Sequence, residues 1–148
     1  MVSKRFVIRV YGIYINEREE VLLSDEFIYG REVTKFPGGG LEFGEGTREC
    51  LEREMMEETG HRFEVLDHLY TTDFFVPSAF DPQIQVMSIY YRMRPLEEFR
   101  METRDRPFDF VTYTENAQVF RWKSIHGLVP SDMTLVIDQK VAGLIKAS

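Results

Sequence analysis

The chain has one cysteine, one tryptophan and three histidines in 148 residues. A lone Cys50 excludes an intrachain disulfide and sets the expectation of a reducing, cytoplasmic setting. His61, His68 and His126 show no metal-ligand spacing, so a zinc site has no evident donors. No apolar run approaches the roughly 20 residues that a membrane-spanning helix needs, and no membrane partner is expected. The N-terminal "MVSKRFVIRVYGIYI" carries basic residues, but it alternates like a strand and no small-residue cleavage site follows, so it reads as part of the mature protein. Positive charge is also short: 18 Lys and Arg stand against 25 Asp and Glu, for a net charge of −7. Such a chain is a poor general binder of the nucleic acid backbone, and no stable nucleic acid complex is expected.

What is present suits one globular domain over 1–148: hydrophobic residues make up 43%, with no internal repeat or low-complexity linker. Residues 4–15 alternate as a strand, "NERE" (16–19) reads as a turn, and 20–30 and 32–36 read as further strands. A helix is expected over Thr47–Thr59, capped by Thr47 and stopped by Gly60. Residues 61–76 hold β-rich stretches, 84–94 a strong strand, 95–116 a long charged loop and 117–122 a last strand. A closing helix is expected with Ser131 as its cap and an apolar stripe of Leu135, Val136, Ile137, Val141, Leu144 and Ile145. Strands interspersed with two helices predict an α/β fold, a mixed sheet covered on both faces.

Most of the negative charge is local. Gly39 to His61 holds seven glutamates against Arg48 and Arg53, a charge of −5 within the overall −7. At about 100° per residue, Glu54, Glu57 and Glu58 share one helix face within about 100° of arc, while Glu49 and Glu52 point elsewhere. Three carboxylates on one face repel one another and raise one another's pKa unless a cation sits there. Oxygen donors without His or Cys favour Mg²⁺, with Mn²⁺ able to substitute, over Zn²⁺. The preceding "PGGG" allows positive φ and close backbone approach. Arg53 could fix Glu45 or Glu57 through bidentate bonds. A solvated, Arg-paired helix would account for the charge alone, but not for its order.

That order is Gly39, five residues, Glu45, seven residues, then "REMMEETG" from Arg53 to Gly60. It resembles the signature of the Nudix hydrolase family at every specified position except the last, where His61 replaces an aliphatic residue. Pro37, Gly38, Glu42 and Gly44 also stand where that pattern expects them. The resemblance covers about 23 residues and implies an α/β/α sandwich with a mixed β-sheet, the signature forming a loop, a helix and a loop. It implies hydrolysis of a nucleoside diphosphate linked to another group, with Mg²⁺ as cofactor. Glu54, Glu57 and Glu58 are the implied metal ligands and catalytic face, Glu45 and Arg53 the orienting residues, and Gly39 a loop residue near metal or substrate. The proton of the attacking water would go to a box glutamate or to Glu97, Glu98, Glu102 or Glu115.

The leaving group is not written in the box. The "KFPGGG" run and the short segment before the first strand favour a (deoxy)nucleoside triphosphate pyrophosphohydrolase that releases pyrophosphate. ADP-ribose or nucleotide-sugar hydrolysis is the alternative, and a non-catalytic nucleotide sensor is the alternative of another class. Phe74 and Phe80, in an aromatic loop, are candidates to stack on a base, and Lys35 and Arg9 to reach phosphates. Core or surface roles compete for each of these four. A homodimer stays open.

Overall fold

The computed structural model describes residues 3–147, with side chains to Ile145. In chain order the elements are β1 (Arg5–Ile13), β2 (Glu20–Ile28), β3 (Arg31–Lys35), β4 (Gly38–Gly40), α1 (Thr47–Thr59), β5 (Phe63–Thr71), β6 (Ile84–Pro95), β7 (Thr103–Arg104), β8 (Gln118–Ser124), a 3₁₀ turn (Pro130–Asp132) and α2 (Val136–Ala147). The fold is mixed α/β as expected, with the strands sorted into two four-stranded mixed sheets. They belong to two compact units: one gathers the chain up to Ile13 with Gly38–Phe99, the other Tyr14–Pro37 with the chain from Arg100 onward.

In the first unit the sheet order is β4-β1-β6-β5. β1 and β6 run parallel from Arg5 opposite Ile84 to Ile13 opposite Arg92, a pairing that needs a long crossover, and β5 and α1 lie within it. The glycine strand β4 lies antiparallel on the other edge of β1, with Arg9 opposite Gly40 and Val10 opposite Gly39. α1 is anchored to this sheet by its first turn. The Thr47 hydroxyl meets the Tyr91 hydroxyl at 2.7 Å, and the Arg48 guanidinium donates to the Val65 carbonyl at 2.9 Å while lying over the Tyr91 ring. Cys50, Leu51 and Met55 are fully buried and line the helix's inner face. The helix stops at Gly60, whose left-handed φ of 71° returns its N–H to the Met56 carbonyl. Its start differs from expectation: Gly46 holds the cap position, its N–H donating to the Glu49 carboxylate at 3.1 Å, and Thr47 is already helical. His61, the departure from the signature, packs its ring 5.1 Å from that of Phe99 and sets its Nδ1 2.8 Å from the Thr59 carbonyl oxygen.

In the second unit the order is β3-β2-β8-β7. β2 and β3 form a hairpin closed by Tyr29 and Gly30, both at positive φ (50° and 71°), the arrangement a two-residue turn needs to match strand twist. Tyr29 carries the strained conformation because its N–H and that of Gly30 donate to the Glu115 carboxylate. The long segment after β6 is more structured than expected. It contributes β7, parallel to β8, and an aromatic knot in which Phe110 stands 5.0 Å edge-on to Tyr113. α2 begins at Val136, after the 3₁₀ turn that contains Ser131, so Ser131 is not its cap. The buried stripe is Ile137, Val141, Ala142 and Ile145, whereas Val136 and Leu144 face outward. The stripe's i, i+4, i+8 spacing leaves Val136 on the opposite arc and Leu144 at the stripe's edge. No helix among the described residues is long and apolar enough to cross a membrane.

Candidate active site

The site forms where the glycine strand meets α1. Val10 lies opposite Gly39 on β1, and a Cβ on Gly39 would fall 2.4 Å from the Glu54 carboxylate. Only glycine lets that carboxylate rest against the strand. Gly38 is equally constrained, at φ 146°, where a Cβ would fall 2.1 Å from the Val10 carbonyl oxygen. The run of glycines is thus a surface against which a helix carboxylate is seated.

Arg53 organises the rest. Its Nε and Nη2 donate to the two oxygens of Glu45 at 2.9 and 2.8 Å, the bidentate geometry that guanidinium favours. Nη2 also reaches the Gly40 carbonyl at 3.1 Å, and Nη1 reaches Glu54 at 3.1 Å and both oxygens of Glu57 at 3.2 Å. One side chain therefore ties strand, loop and helix together and neutralises part of the acidic face. The Arg53 hydrogen bonds hold Glu45 down at a pKa of about 2, and the same carboxylates push Arg53 further up. The Glu42 N–H completes the Glu45 shell at 2.9 Å. Beneath them the Cys50 thiol contacts the Gly40 carbonyl at 3.5 Å, and burial raises it to about 12.

Glu54 is mostly covered, Glu57 is exposed, and one oxygen of Glu58 is buried. Among the described residues no three His, Cys, Asp or Glu side chains converge as a cation cage, and Arg53 donates to Glu54 and Glu57. The donor set still fits a hard divalent cation in kind: every candidate ligand is a carboxylate oxygen, and Glu54 is already fixed by the cradle at Gly39.

The other anticipated residues fall as follows. Arg9 lies opposite Gly40, beside this site, and its Nε donates to the Tyr11 hydroxyl at 2.5 Å. Tyr11, two residues along the same strand, shares its face, a relation readable from the strand period. Phe74 and Phe80 stand on the loop between β5 and β6, each somewhat over one-third exposed. Lys35 lies in the other unit, buried, its ammonium 3.1 Å from Glu26, a partner the sequence reading missed. The Tyr29–Gly30 turn could have found it, because that turn places Glu26 across from Val33, two residues from Lys35 and so on the same face. Of the glutamates considered as proton acceptors, Glu97 pairs with Arg62 at 3.7 Å, Glu102 with Arg104, and Glu115 caps the hairpin.

A NUDIX domain model matches residues 5–136 of the chain. Among solved structures, the MutT protein of Methanosarcina mazei Go1 superposes with a TM-score of 0.70 at 19% identity, covering 99% of this chain and 97% of that one. A NUDIX hydrolase from Nitrosomonas europaea gives 0.71 at 19% identity, covering 95% and 88%. An ADP-ribose pyrophosphatase from Streptococcus suis gives 0.57 at 16% identity, covering 95% and 90%. These likenesses establish the fold, and the match over nearly the whole length establishes the family: the chain belongs to the Nudix hydrolases. With the acidic signature complete, it is an enzyme of the pyrophosphohydrolase class.

Proposed function

We propose that residues 1–148 act as one Nudix domain that hydrolyses a (deoxy)nucleoside triphosphate to the monophosphate and pyrophosphate, with Mg²⁺ or Mn²⁺ as cofactor. The observation that carries this is the seating of Glu54 against Gly39, with Arg53 binding Glu45, Glu54 and Glu57 together. Glu54, Glu57 and Glu58 would hold the cation. When bound, it screens a diphosphate's charge and supplies Lewis acidity. The protein's own part is to keep these carboxylates placed. Arg53 lowers the cost of gathering them, and Glu45 holds Arg53 in register. Glu45 is too acidic to accept a proton at neutral pH, which leaves that role to another glutamate of the signature or to Glu97, Glu98, Glu102 or Glu115. Arg9, beside the glycine strand, is positioned to meet a phosphate, and Phe74 and Phe80 offer ring faces to a base.

The triphosphate reading is supported by the "KFPGGG" run, which resembles family members acting on triphosphates. The solved likeness described as an ADP-ribose pyrophosphatase keeps that substrate as the second reading. A Mg²⁺-dependent hydrolysis panel tests both: nucleoside triphosphates, ADP-ribose, nucleotide sugars and dinucleoside polyphosphates, with products identified. Pyrophosphate with a monophosphate supports the first reading. A nucleoside monophosphate with a sugar phosphate replaces it with the second.

A further inference from the structure

The helix-bearing face of the first unit's sheet runs out from under its helix. Tyr91 faces α1, since its hydroxyl meets that of Thr47 at 2.7 Å. Strand alternation puts Ile89 and Met87 on the same face of β6. The parallel register sets Gly12, Val10 and Ile8 of β1 beside Tyr91, Ile89 and Met87, and Phe6 beside Gln85. Burial falls steadily along this face. Val10 is fully buried, Ile8 is 39% exposed and Phe6 70%, and on the neighbouring strand Met87 is 36% exposed. The helix covers the end of the face near Tyr91 and leaves the end near Phe6 bare.

The bare end is continuous across the sheet. Leu41 donates its N–H to the Ile8 carbonyl at 2.9 Å, which carries the β4 pairing one residue further and sets Leu41 beside Ile8. On the far side Pro77 stands opposite Gln85, and Phe75, two residues earlier, adjoins it at 69% exposure. Phe6, Ile8, Leu41, Phe75, Pro77 and Met87 thus form one apolar strip four backbones wide, roughly 15 Å at the usual strand spacing. Gln85 is its polar member, and it carries no charge.

We propose that this strip is the interface of a homodimer, in which a second copy of the chain lays the same strip against it. The area fits. At these exposures, and at roughly 150–250 Å² for a large apolar side chain, each copy covers roughly 500 Å² of apolar surface. Two copies then bury about 1,000 Å² of it, which at an apolar share of roughly 60% corresponds to about 1,600 Å² in all, the size of a stable specific interface. The shape fits as well, because uncharged sheet faces pack on one another with their side chains interdigitated. Pro77 has no N–H to offer an added strand, so that edge resists strand addition and the contact falls to the face. A two-fold contact must also be self-complementary. Exposed Lys4 and Arg5 at the start of β1, and exposed Glu42 next to Leu41, put opposite charges on two adjoining edges of the strip. A two-fold axis running between those edges sets the basic edge of each copy on the acidic edge of the other.

The test is sedimentation velocity of the full chain over a range of concentrations. At about 50 µM, above the micromolar ceiling expected for an interface of this size, the wild type should sediment at twice the 17.5 kDa of one chain. The double variant Phe6→Glu, Met87→Glu places charges on the strip at two exposed positions and should weaken self-association by about 100-fold or more. Circular dichroism checks that it stays folded, and Phe6→Glu alone, at the more exposed position, takes its place if it does not. Val111→Glu, at a 90% exposed apolar position of the second unit, is the control and should stay dimeric. A monomeric wild type, a dimer that survives in the folded strip variant, or equal dissociation of the Val111→Glu control overturns the assignment. Hydrolysis is read separately, so failure of the proposed activity leaves this inference standing and a monomeric, active wild type refutes this inference alone.

Discussion

Arg53 holds Glu45 by both prongs of its guanidinium, at 2.9 and 2.8 Å, and uses its remaining nitrogen to hold Glu54 and Glu57. The two residues are eight apart in sequence, one on the loop after β4 and one within α1. Their pairing closes the loop over the helix start. A lysine could supply the charge but not the fork, so it would keep at most one of these bonds to Glu45.

The Glu45 pair gives acid sensitivity a definite sign. Its carboxyl falls from an ordinary 4.5 to about 2 in the fold, so the folded state favours the ionised form. The resulting stability is complete above the unfolded value of 4.5 and is lost as pH falls through about 2. Thermal melts of the wild type between pH 5 and pH 2 should therefore drop more steeply than those of Glu45→Gln. Parallel curves for the two proteins would show that the pair adds nothing to stability.

Gly39→Ala should separate stability from activity. The added methyl would meet the end of the Glu54 side chain, which can swing away, so unfolding should change by about 1 kcal/mol or less. Displacing a carboxylate from the reacting centre should lower kcat/KM by about 100-fold. Chemical denaturation and steady-state kinetics on one preparation check both halves. A variant with normal kcat/KM would mean that the cradle has no catalytic purpose.

The acidic face was legible because a helix repeats at a fixed angle, so Glu54, Glu57 and Glu58 could be grouped from spacing alone. Gly60 could be read as a stop because left-handed φ is costly for other residues. The Arg53 network was legible only in part. Its partner Glu45 follows from the signature, but the Gly40 carbonyl bond depends on β4 pairing with β1 across 30 residues. The start of α2 was misread because Ser131 is a good cap in isolation, while Pro130 and the Asp132 carboxylate, which accepts the Val129 N–H, favour a separate 3₁₀ turn. Lys35 is a candidate for phosphate on sequence because a lone lysine on a strand has no readable partner. Glu26 becomes its partner only through hairpin register.

Cys50 should be unreactive in the native protein. It is fully buried, and burial, reinforced by Glu45, lifts its thiol to about 12, so almost none is thiolate at pH 8. Iodoacetamide should leave it unmodified over hours and label it completely in denaturant, as read by intact mass. Rapid native labelling would mean that α1 opens away from the glycine strand often enough to expose the thiol.

Glu57→Gln and Glu58→Gln test the proposed cation site most directly. Each keeps side-chain volume and removes one charge, so the fold should persist while turnover at limiting Mg²⁺ falls by about 100-fold or more. The two should differ in another respect. Glu57 shares both oxygens with Arg53, so its amide also frees an Arg53 nitrogen, whereas Glu58 lies partly buried beside the face. Mn²⁺ binding, followed by electron paramagnetic resonance without any substrate, should weaken in both variants and so separate loss of the cation from loss of chemistry. Wild-type Mn²⁺ affinity and wild-type turnover in both variants would remove these two carboxylates from the cation site and leave their charge to be explained by Arg53 alone.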